Sequence, residues 1–291
     1  MSTVTVIRSM TSLERDLVPM GHGFMSYWGA DRVARRRMFR QANATYREFR
    51  ADFGYADSAS LLTDPESQPK TGKNEARTLT LMLVPARSVL GNACPAASVG
   101  CGGSVEHMGG CLNSAGHGAF DGVQYARLVR MAFLVSWPWE FGVILAHELQ
   151  RERVKHEGTL GFRFNCVSDI RLELCAPDML HALHASGFAI YDYSAYSPRM
   201  RESRPDFYHV TFSAKETHTD EWIVDMVTSG HNVAVPVAVR KGDPLPSVWR
   251  GLPAIDGDLT DFRPGDPSGV VVLLRAKGDA INDMTGFVRS L

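Results

Sequence analysis

Short apolar runs alternate with helical stretches through most of the chain after Thr78, and this alternation limits the fold more than any other feature. Six runs have the length and composition of β-strands: Thr78–Pro85, Leu160–Ser168, Phe188–Ser194, Tyr208–Ser213, Asn232–Val239 and Gly269–Ala276. Helices are predicted between them, over residues 120–136, 138 to about 156, 177–186 and 220–229. Strands that alternate with helices form βαβ units, so the pattern predicts an α/β fold with a parallel sheet.

The predicted strands have a polar side toward their carboxyl ends. Arg163, Asn165 and Asp169 share one parity, and His209, Thr211 and Ser213 alternate with apolar neighbours. Strands of a doubly wound sheet are apolar on both faces, whereas strands that line a pocket are not. Six strands are too few for a standard eight-stranded barrel. We therefore predict a six-stranded partial (β/α) barrel over residues 76–291, with a doubly wound sheet as the alternative.

Residues 1–75 have a different character and are predicted to be a helical N-terminal extension with a linker. The stretch 31–50 is a plausible helix with seven arginines, and residues 57–74 are polar and turn-rich. The arginines are candidates for contact with nucleic-acid phosphates: Arg32, Arg35, Arg36, Arg37 and Arg40. The alternative is a solvated helix face without a ligand.

Three of the five cysteines lie in one glycine-rich loop after the first predicted strand, with the spacing Cys94-x6-Cys101-x9-Cys111. Three thiolates leave one coordination position free, which is typical of a catalytic metal site, so a [4Fe–4S] cluster with an open iron is the first hypothesis. His107 or His117 as a fourth ligand would instead give a structural Zn²⁺ site. Ordinary packed cysteines are the third interpretation, and Cys166 and Cys175 are read in that way.

The overall charge and the N-terminal stretch argue for a cytoplasmic protein. The net charge of −1 gives no global electrostatic reason to expect nucleic acid or membrane as a partner. The N-terminal stretch has no apolar core of a signal peptide, and no run approaches the length of a membrane span. We therefore expect the thiols to be reduced.

Polar residues follow several predicted strands, where the side chains of a parallel barrel meet at a common mouth. Asp169, Asp192 and Tyr191 are the candidate catalytic residues, since a carboxylate there can hold a ribose hydroxyl or act as a base. The candidate cofactor-binding residues are Asn165, Ser168, Thr211, Ser213 and Arg240. The alternative for the Asp and Ser residues is capping of the next helix. Asp256, Asp258 and Asp261 could bind Mg²⁺, but a turn network with Arg263 is favoured.

Several motifs resemble the phage-encoded gene product 88 family. The loop and the helix after it carry CP-A, two further cysteines, a glycine and V-x-x-A-R, at Cys94, Pro95, Ala96, Cys101, Cys111, Gly116, Val123, Ala126 and Arg127. Further similar segments are NCVSDIRLE (165–173), YDYSAY (191–196), YHVTFSAKET (208–217), IDGDLTDFR (255–263) and LLRAKG (273–278). The resemblance covers about residues 78 to 280.

The layout also resembles a radical S-adenosylmethionine enzyme, which has a six-stranded partial barrel and three cluster cysteines after the first strand. The usual loop in that superfamily is CxxxCxxC, and the spacing here is wider. The resemblance implies that the open iron binds S-adenosylmethionine and that its reductive cleavage yields a radical. The expected function is radical modification of a nucleotide, a nucleic acid or a small metabolite. The alternatives are a zinc-stabilised nucleic-acid-binding or processing protein and a non-catalytic interaction protein.

Overall fold

The computed structural model describes residues 10–55, 60–63, 65–67, 76–85, 90, 92–102, 109–111 and 116–291. These residues form a mixed α/β fold in which several helices precede a mostly parallel sheet. The helices are α1 (Ser12–Asp16), α2 (Val18–Trp28), α3 (Arg32–Asp52), α4 (Val99–Gly102), α5 (Asp121–Ser136), α6 (Pro138–Lys155), α7 (Leu172–Cys175), α8 (Pro177–Ala185) and α9 (Asp220–Thr228). The strands are β1 (Leu62–Thr63), β2 (Arg77–Leu81), β3 (Leu160–Arg163), β4 (Phe188–Ser194), β5 (Tyr208–Ser213), β6 (Val233–Val237), β7 (Val248–Trp249), β8 (Leu252–Asp256) and β9 (Val271–Arg275).

The described strands form one nine-stranded sheet in the order β1-β2-β3-β4-β5-β6-β9-β8-β7. All neighbours from β2 to β8 in this order are parallel, and the short outer strands β1 and β7 pair antiparallel. Phe162 stands opposite Leu79 on one side and Ile190 on the other. The parallel order places the carboxyl ends of β2 to β6 along one edge of the sheet.

The two faces of the sheet differ in chemistry. One face is apolar and packs against helical residues such as Phe141, Leu180 and Ile223 in a single large core; it carries Leu79, Phe162, Ile190, Val210, Val235 and Leu273. The other face carries buried polar side chains at Thr78, Thr80, Arg163 and Thr211, and only a small apolar cluster around Ala234, Val270 and Val272. The alternation of side chains along each strand separates these two sets.

Helices α2 and α6 cross with their backbones in close contact. A Cβ atom added to Gly23 would lie 2.1 Å from the carbonyl oxygen of Trp139, and one added to Gly142 would lie 2.1 Å from that of Met20. No side chain fits at either position, so glycine at both is a condition of this crossing.

The N-terminal helices belong to the same hydrophobic core as the sheet. Leu13, Leu17 and Phe24 are in the large core cluster, and Leu62 and Thr63 add strand β1 to the sheet edge. Glu14 forms a buried ion pair with Arg171, 2.8 Å apart, on the far side of position 75. The domain boundary at residue 75 stays a prediction, and these contacts tie the two segments together.

The parallel sheet that the sequence predicts is confirmed, and each of the six predicted runs contains a strand. The number of strands was wrong, because the described residues contain nine rather than six. Strands β1 and β7 have two residues each, too few to show a period. Strand β8 (LPAID) is not among the predicted runs, and it contains a proline, which argues against a strand.

In the described part of the chain, no single helix is long and apolar enough to cross a membrane. By length and composition alone, the pair α5 and α6 passes the same test together, with a bend of 119° between them. Most of the apolar side chains of α6 are buried in the core, including Phe141, Ile144 and Leu145.

Candidate functional site at the carboxyl edge of the sheet

The loop between β2 and α5 carries Cys94, and hydrogen bonds fix its start against the end of β3. The backbone amide of Asp169 donates to the carbonyl oxygen of Ala93 over 2.7 Å. The Cys94 thiol donates to the carbonyl oxygen of Val167, with Sγ 3.5 Å away. The first cysteine of the loop therefore lies at the carboxyl edge of the sheet, as its place in the sequence predicted.

Cys101 lies in the short helix α4, which is held by the segment after β5. The Ser98 hydroxyl donates to Oε2 of Glu216 over 2.5 Å. Burial opposes ionisation of Glu216, but hydrogen bonds from Ser98 and from the Gly100 and Val99 amides lower its pKa overall. The Glu216 carboxylate thus accepts from the free amides at the start of α4.

The third cysteine of the loop follows a close approach of two glycines. The Gly110 amide donates to the carbonyl oxygen of Gly100 over 2.7 Å, which brings Cys111 next to the turn that carries Cys101. A Cβ atom at Gly100 would lie 2.5 Å from Cβ of Phe287 and 2.7 Å from the Glu216 carboxylate. A side chain at position 100 would push the loop away from the C-terminal segment.

The surroundings of Cys101 disfavour a free thiolate. Burial raises the pKa of the Cys101 thiol to about 12, and the nearby acidic groups of Cys111, Asp169 and Glu216 act in the same direction. Cys101 is therefore protonated at neutral pH and is a poor nucleophile in this state. A bound cation would reverse this preference, because a coordinated thiol loses its proton.

The three cysteines share one edge of the sheet but do not form a ligand set. Among the described residues, no group of three or more His, Cys, Asp or Glu side chains is placed to hold a metal ion. His117, one predicted fourth ligand, stacks on Phe120 with ring centroids 5.4 Å apart. The other, His107, lies outside the described residues. In this arrangement of the described residues the three thiols are not gathered into one ligand group, so metal binding would require the loop to draw them together.

Asn165 and Ser168 form a closed hydrogen-bond network after β3. Oδ1 of Asn165 accepts from the Ser168 hydroxyl and from the Ile170 amide, over 2.9 and 2.8 Å. Its Nδ2 donates to the carbonyl oxygen of Ile170 and to Oδ2 of Asp192, over 2.9 and 3.0 Å. Every polar atom of the Asn165 amide is therefore used to hold the turn.

Asp192 is fully buried and joins β3, β4 and β5. Oδ1 of Asp192 accepts from the backbone amide of Asn165 over 2.8 Å, and Oδ2 accepts from the Tyr208 hydroxyl over 2.6 Å. Burial raises the pKa of Asp192 to about 6, although Arg163 and the Tyr208 hydroxyl favour the ionised form. Such a pKa suits acid–base chemistry, but the carboxylate is enclosed by protein partners.

Asp169 belongs to a second buried network, centred on Arg201. It accepts from the Ser194 hydroxyl over 2.9 Å and from the Ala195 amide over 2.7 Å, and its Oδ1 lies 3.5 Å from the Arg201 guanidinium. Burial raises its pKa, against the opposing effect of Arg201. The N-cap of α7 is Arg171, without a side-chain cap, so Asp169 does not cap that helix.

The other predicted site residues lie on the opposite, polar face or outside the networks. Tyr191 and Tyr193 point away from Asp192 because neighbours along a strand alternate between faces. The Tyr191 ring packs edge-on against Phe262, 5.7 Å between centroids. Thr211 is fully buried beside Tyr193, whereas Ser213 is half-buried and Arg240 is exposed after β6. The three predicted catalytic residues are thus divided between separate networks and both faces.

A family model decides which proteins this chain is related to. The model of the gene product 88 family matches residues 58–290. The chain belongs to the gene product 88 family. No curated protein and no solved structure matches it, and none of these comparisons supports the likeness to radical S-adenosylmethionine enzymes. The matched region includes the nine strands and the three loop cysteines, and it leaves out α1 to α3.

In this gene product 88 chain, sequence reasoning missed the buried arginines that surround the candidate site. Arg163 pairs with Asp261 over 2.8 Å and lies over the Tyr193 ring at 4.8 Å. Arg201 pairs with Glu173 over 2.8 Å, with both side chains fully buried. The one indication in the sequence was that Arg163 alternates with apolar residues along its predicted strand. No pattern pointed to Asp261, Arg201 or Glu173.

Cys166 lies closer to the cysteine loop of the gene product 88 chain than the sequence indicated. Arg127 of α5 interacts electrostatically with both Cys166 and Cys111, and burial lowers the pKa of this arginine while the two thiols raise it. The V-x-x-A-R motif that contains Arg127 was the available signal. The fourth thiol therefore shares a charged neighbour with the third.

The aspartates of DGDLTDFR in the gene product 88 chain are paired with cations of the protein. Arg275 lies 2.9 Å from Asp256 and 3.2 Å from Asp258, and Asp258 also accepts from Lys277. The Asp258 amide donates to Asp256, which is the turn that was favoured over a Mg²⁺ site. Arg275 and Lys277 are the cations on Asp256 and Asp258, while the guanidinium of Arg263 donates to the Thr260 carbonyl oxygen within the same segment.

Proposed function

We propose that the carboxyl edge of the sheet is a metal-dependent catalytic site that uses Cys94, Cys101 and Cys111 as ligands. The leading version is a [4Fe–4S] enzyme that uses S-adenosylmethionine to modify a nucleotide, a nucleic acid or a small metabolite. Structural Zn²⁺ on the same thiols is the alternative. The observation that carries the proposal is the anchoring of one cysteine loop against the ends of both β3 and β5.

The strand order supports an enzyme site at this edge. Strands β2 to β6 are neighbours in chain order and parallel, and the helices pack on the apolar face. A parallel sheet with helices on one face and polar side chains on the other is the arrangement expected of a partial barrel. In barrels, active sites lie in the loops after the strands, which is where the cysteine loop begins.

The electrostatics of the loop support a cation as its ligand. Cys101 is half-buried near Cys111, Asp169 and Glu216, which carry negative charge when ionised, and near Lys215, which opposes them. Lys215 and, for Asp169, Arg201 supply part of the compensating positive charge. A soft metal ion is the further cation that thiolates bind best. Because the described side chains do not form a three-ligand group, binding requires the loop to close. We therefore assign no reaction step to the metal.

A reducing compartment is part of the same proposal. The five cysteines are all free thiols. Free thiols persist in the cytoplasm, where they remain available as metal ligands.

The test is metal analysis of protein purified without oxygen. We expect about four irons and matching sulfide per chain, with a broad absorption band near ~400 nm. Single Cys→Ala changes at 94, 101 and 111 should each lower iron content and the band. Cys175→Ala is the matched control, because Cys175 is buried away from the loop and donates to the carbonyl oxygen of Arg171.

Each other outcome has a defined meaning. One zinc and no iron, lost in the same three variants, would exclude the cluster and favour the structural Zn²⁺ alternative. No metal in fresh protein, or iron that persists in the loop variants, would refute metal binding by this loop.

A further inference from the structure

A surface cleft lies between α2, α3 and α6, on a different part of the fold from the cysteine loop. Its volume is about 360 Å³, and Arg32, Arg36 and Phe39 of α3 line it together with Tyr27 and His147. Helix α3 lies outside residues 58–290, the region that matches the family model. The cleft therefore does not depend on the proposed metal site.

At the cleft, the side chains of Arg32 and Arg36 have no hydrogen-bond or ion-pair partner among the described residues. Arg32 and Arg36 are exposed and stand one helical turn apart, so their side chains project on the same side of α3. Neither forms an ion pair with a carboxylate of the described residues. Arg35 differs, because its guanidinium donates to the carbonyl oxygens of Tyr27 and Trp28, over 3.1 and 2.6 Å, and so closes the end of α2.

Two carboxylates, one at the start of α3 and one on α6, already accept hydrogen bonds from backbone amides. The Asp31 carboxylate accepts from the amides of Val33 and Ala34, both over 2.8 Å, as the N-cap of α3. Glu148 of α6 turns inward and accepts from the Leu61 and Leu62 amides. The guanidinium groups of Arg32 and Arg36 present exposed positive charge at the cleft, which favours an anion as the ligand.

Aromatic rings form one wall of the cleft. Phe39 stacks on His147, with centroids 3.6 Å apart and planes 20° from parallel. The ring of His147 is held in turn by the Tyr27 hydroxyl, 2.7 Å from Nδ1. A rigid aromatic wall beside two free guanidinium groups matches a ligand with one flat apolar part and one phosphate.

We propose that this cleft binds a nucleotide, with the phosphate on Arg32 and Arg36 and the base against Phe39. The same chemistry has two sources: a free mononucleotide, or one nucleotide unit of a single strand. Arg37 takes no part, although it is exposed on the same helix, because it does not line the cleft.

The experiment measures anisotropy of a short fluorescein-labelled oligothymidylate on the full chain, over a series of salt concentrations. The double change Arg32→Ala/Arg36→Ala should weaken binding and reduce the slope of log affinity against log salt by about 0.7, because the one phosphate that both side chains hold contributes about 0.7 on a single strand. Arg37→Ala, the matched control, should leave the slope unchanged. Phe39→Leu keeps an apolar side chain and should weaken binding about fivefold or more at an unchanged slope, through lost stacking.

Competition by unlabelled thymidine monophosphate separates the two sources. If thymidine monophosphate displaces the labelled oligomer completely, a free nucleotide is sufficient as the ligand. If only the unlabelled oligomer displaces it, the ligand is a single strand. Absence of oligothymidylate binding at low salt would overturn the proposal. It would also be overturned if Arg37→Ala reduced the slope as much as the double change Arg32→Ala/Arg36→Ala, because the effect would then be one of general surface charge.

Discussion

The buried pair between Glu14 and Arg171 predicts that the N-terminal helices stabilise the whole sheet. The Glu14 carboxylate accepts from the Arg171 amide over 3.1 Å, from its Nε and Nη2 over 2.8 Å, and from the Thr11 amide over 2.8 Å. Both side chains are 2% exposed. Glu14→Ala would leave a buried guanidinium without its counter-charge, which costs about 3–5 kcal/mol in the free energy of unfolding.

The assay is thermal unfolding followed by circular dichroism and by tryptophan fluorescence. For a chain of this length, about 2 °C of Tm corresponds to 1 kcal/mol, so we expect a loss of about 6–10 °C. Glu48→Ala is the control, since Glu48 is exposed on α3 and should leave Tm within about 1 °C.

The pH dependence of the same pair gives a second readout. Burial opposes ionisation of Glu14, but the hydrogen bonds from Arg171 and Thr11 lower its pKa below the ordinary 4.5. A depressed carboxylate pKa contributes stability that is present above that ordinary value and is lost as pH falls through the folded pKa. The difference in Tm between wild type and Glu14→Ala should therefore shrink in acid.

Two results would refute this reasoning. One is a Tm of Glu14→Ala within about 2 °C of wild type. The other is unfolding of Glu14→Ala in two steps, in which the first step changes only the helical circular dichroism signal and the main step keeps the wild-type Tm. Either would mean that residues before position 75 unfold independently of the sheet.

Two further predictions concern the crossing of α2 and α6 and the buried Asp192. Gly142→Ala should destabilise the protein by about 3 kcal/mol or more in a denaturant titration, because the new Cβ would lie 2.1 Å from the Met20 carbonyl oxygen. Gly122→Ala has open space in α5 and should be neutral or stabilise by up to about 1 kcal/mol; equal effects of the two changes would contradict the close crossing. Asp192 has a folded pKa of about 6 against an ordinary 3.8, so its contribution to stability is full below the ordinary value and is lost as pH rises to 6 and beyond. Asp192→Asn should flatten Tm against pH between these values, and an unchanged slope would show that another group titrates there.

Local pattern was sufficient to predict most of the secondary structure. Phe188–Ser194 and Tyr208–Ser213 were predicted with the bounds that β4 and β5 have, and Pro138 was expected to begin the helix that became α6. In these elements, either polar and apolar side chains alternate with a clear period or a proline fixes the first residue. Strand β8 shows no clear period and contains a proline, and its pairing with β9 depends on a neighbour that the sequence cannot identify.

The candidate site was predictable only in part. The grouping of three cysteines after the first strand is visible in the sequence, and parallel strand order places that loop at the carboxyl edge. The partners of the polar residues were not visible, because Asp192 accepts from groups 27 and 16 positions away, on Asn165 and Tyr208. Only the packed sheet brings these atoms within hydrogen-bond distance.

The amino-acid sequence by itself determined the strands, the helices and the loop that gathers the thiols, since these depend on side-chain periodicity, proline and glycine within a few residues. Tertiary structure alone decided which charges are compensated: Glu14 joins Arg171, Asp261 joins Arg163, and Arg32 and Arg36 are left facing solvent. The physical reason is that burial makes an unpaired charge costly, and which charges are buried together depends on the order in which the strands and helices pack.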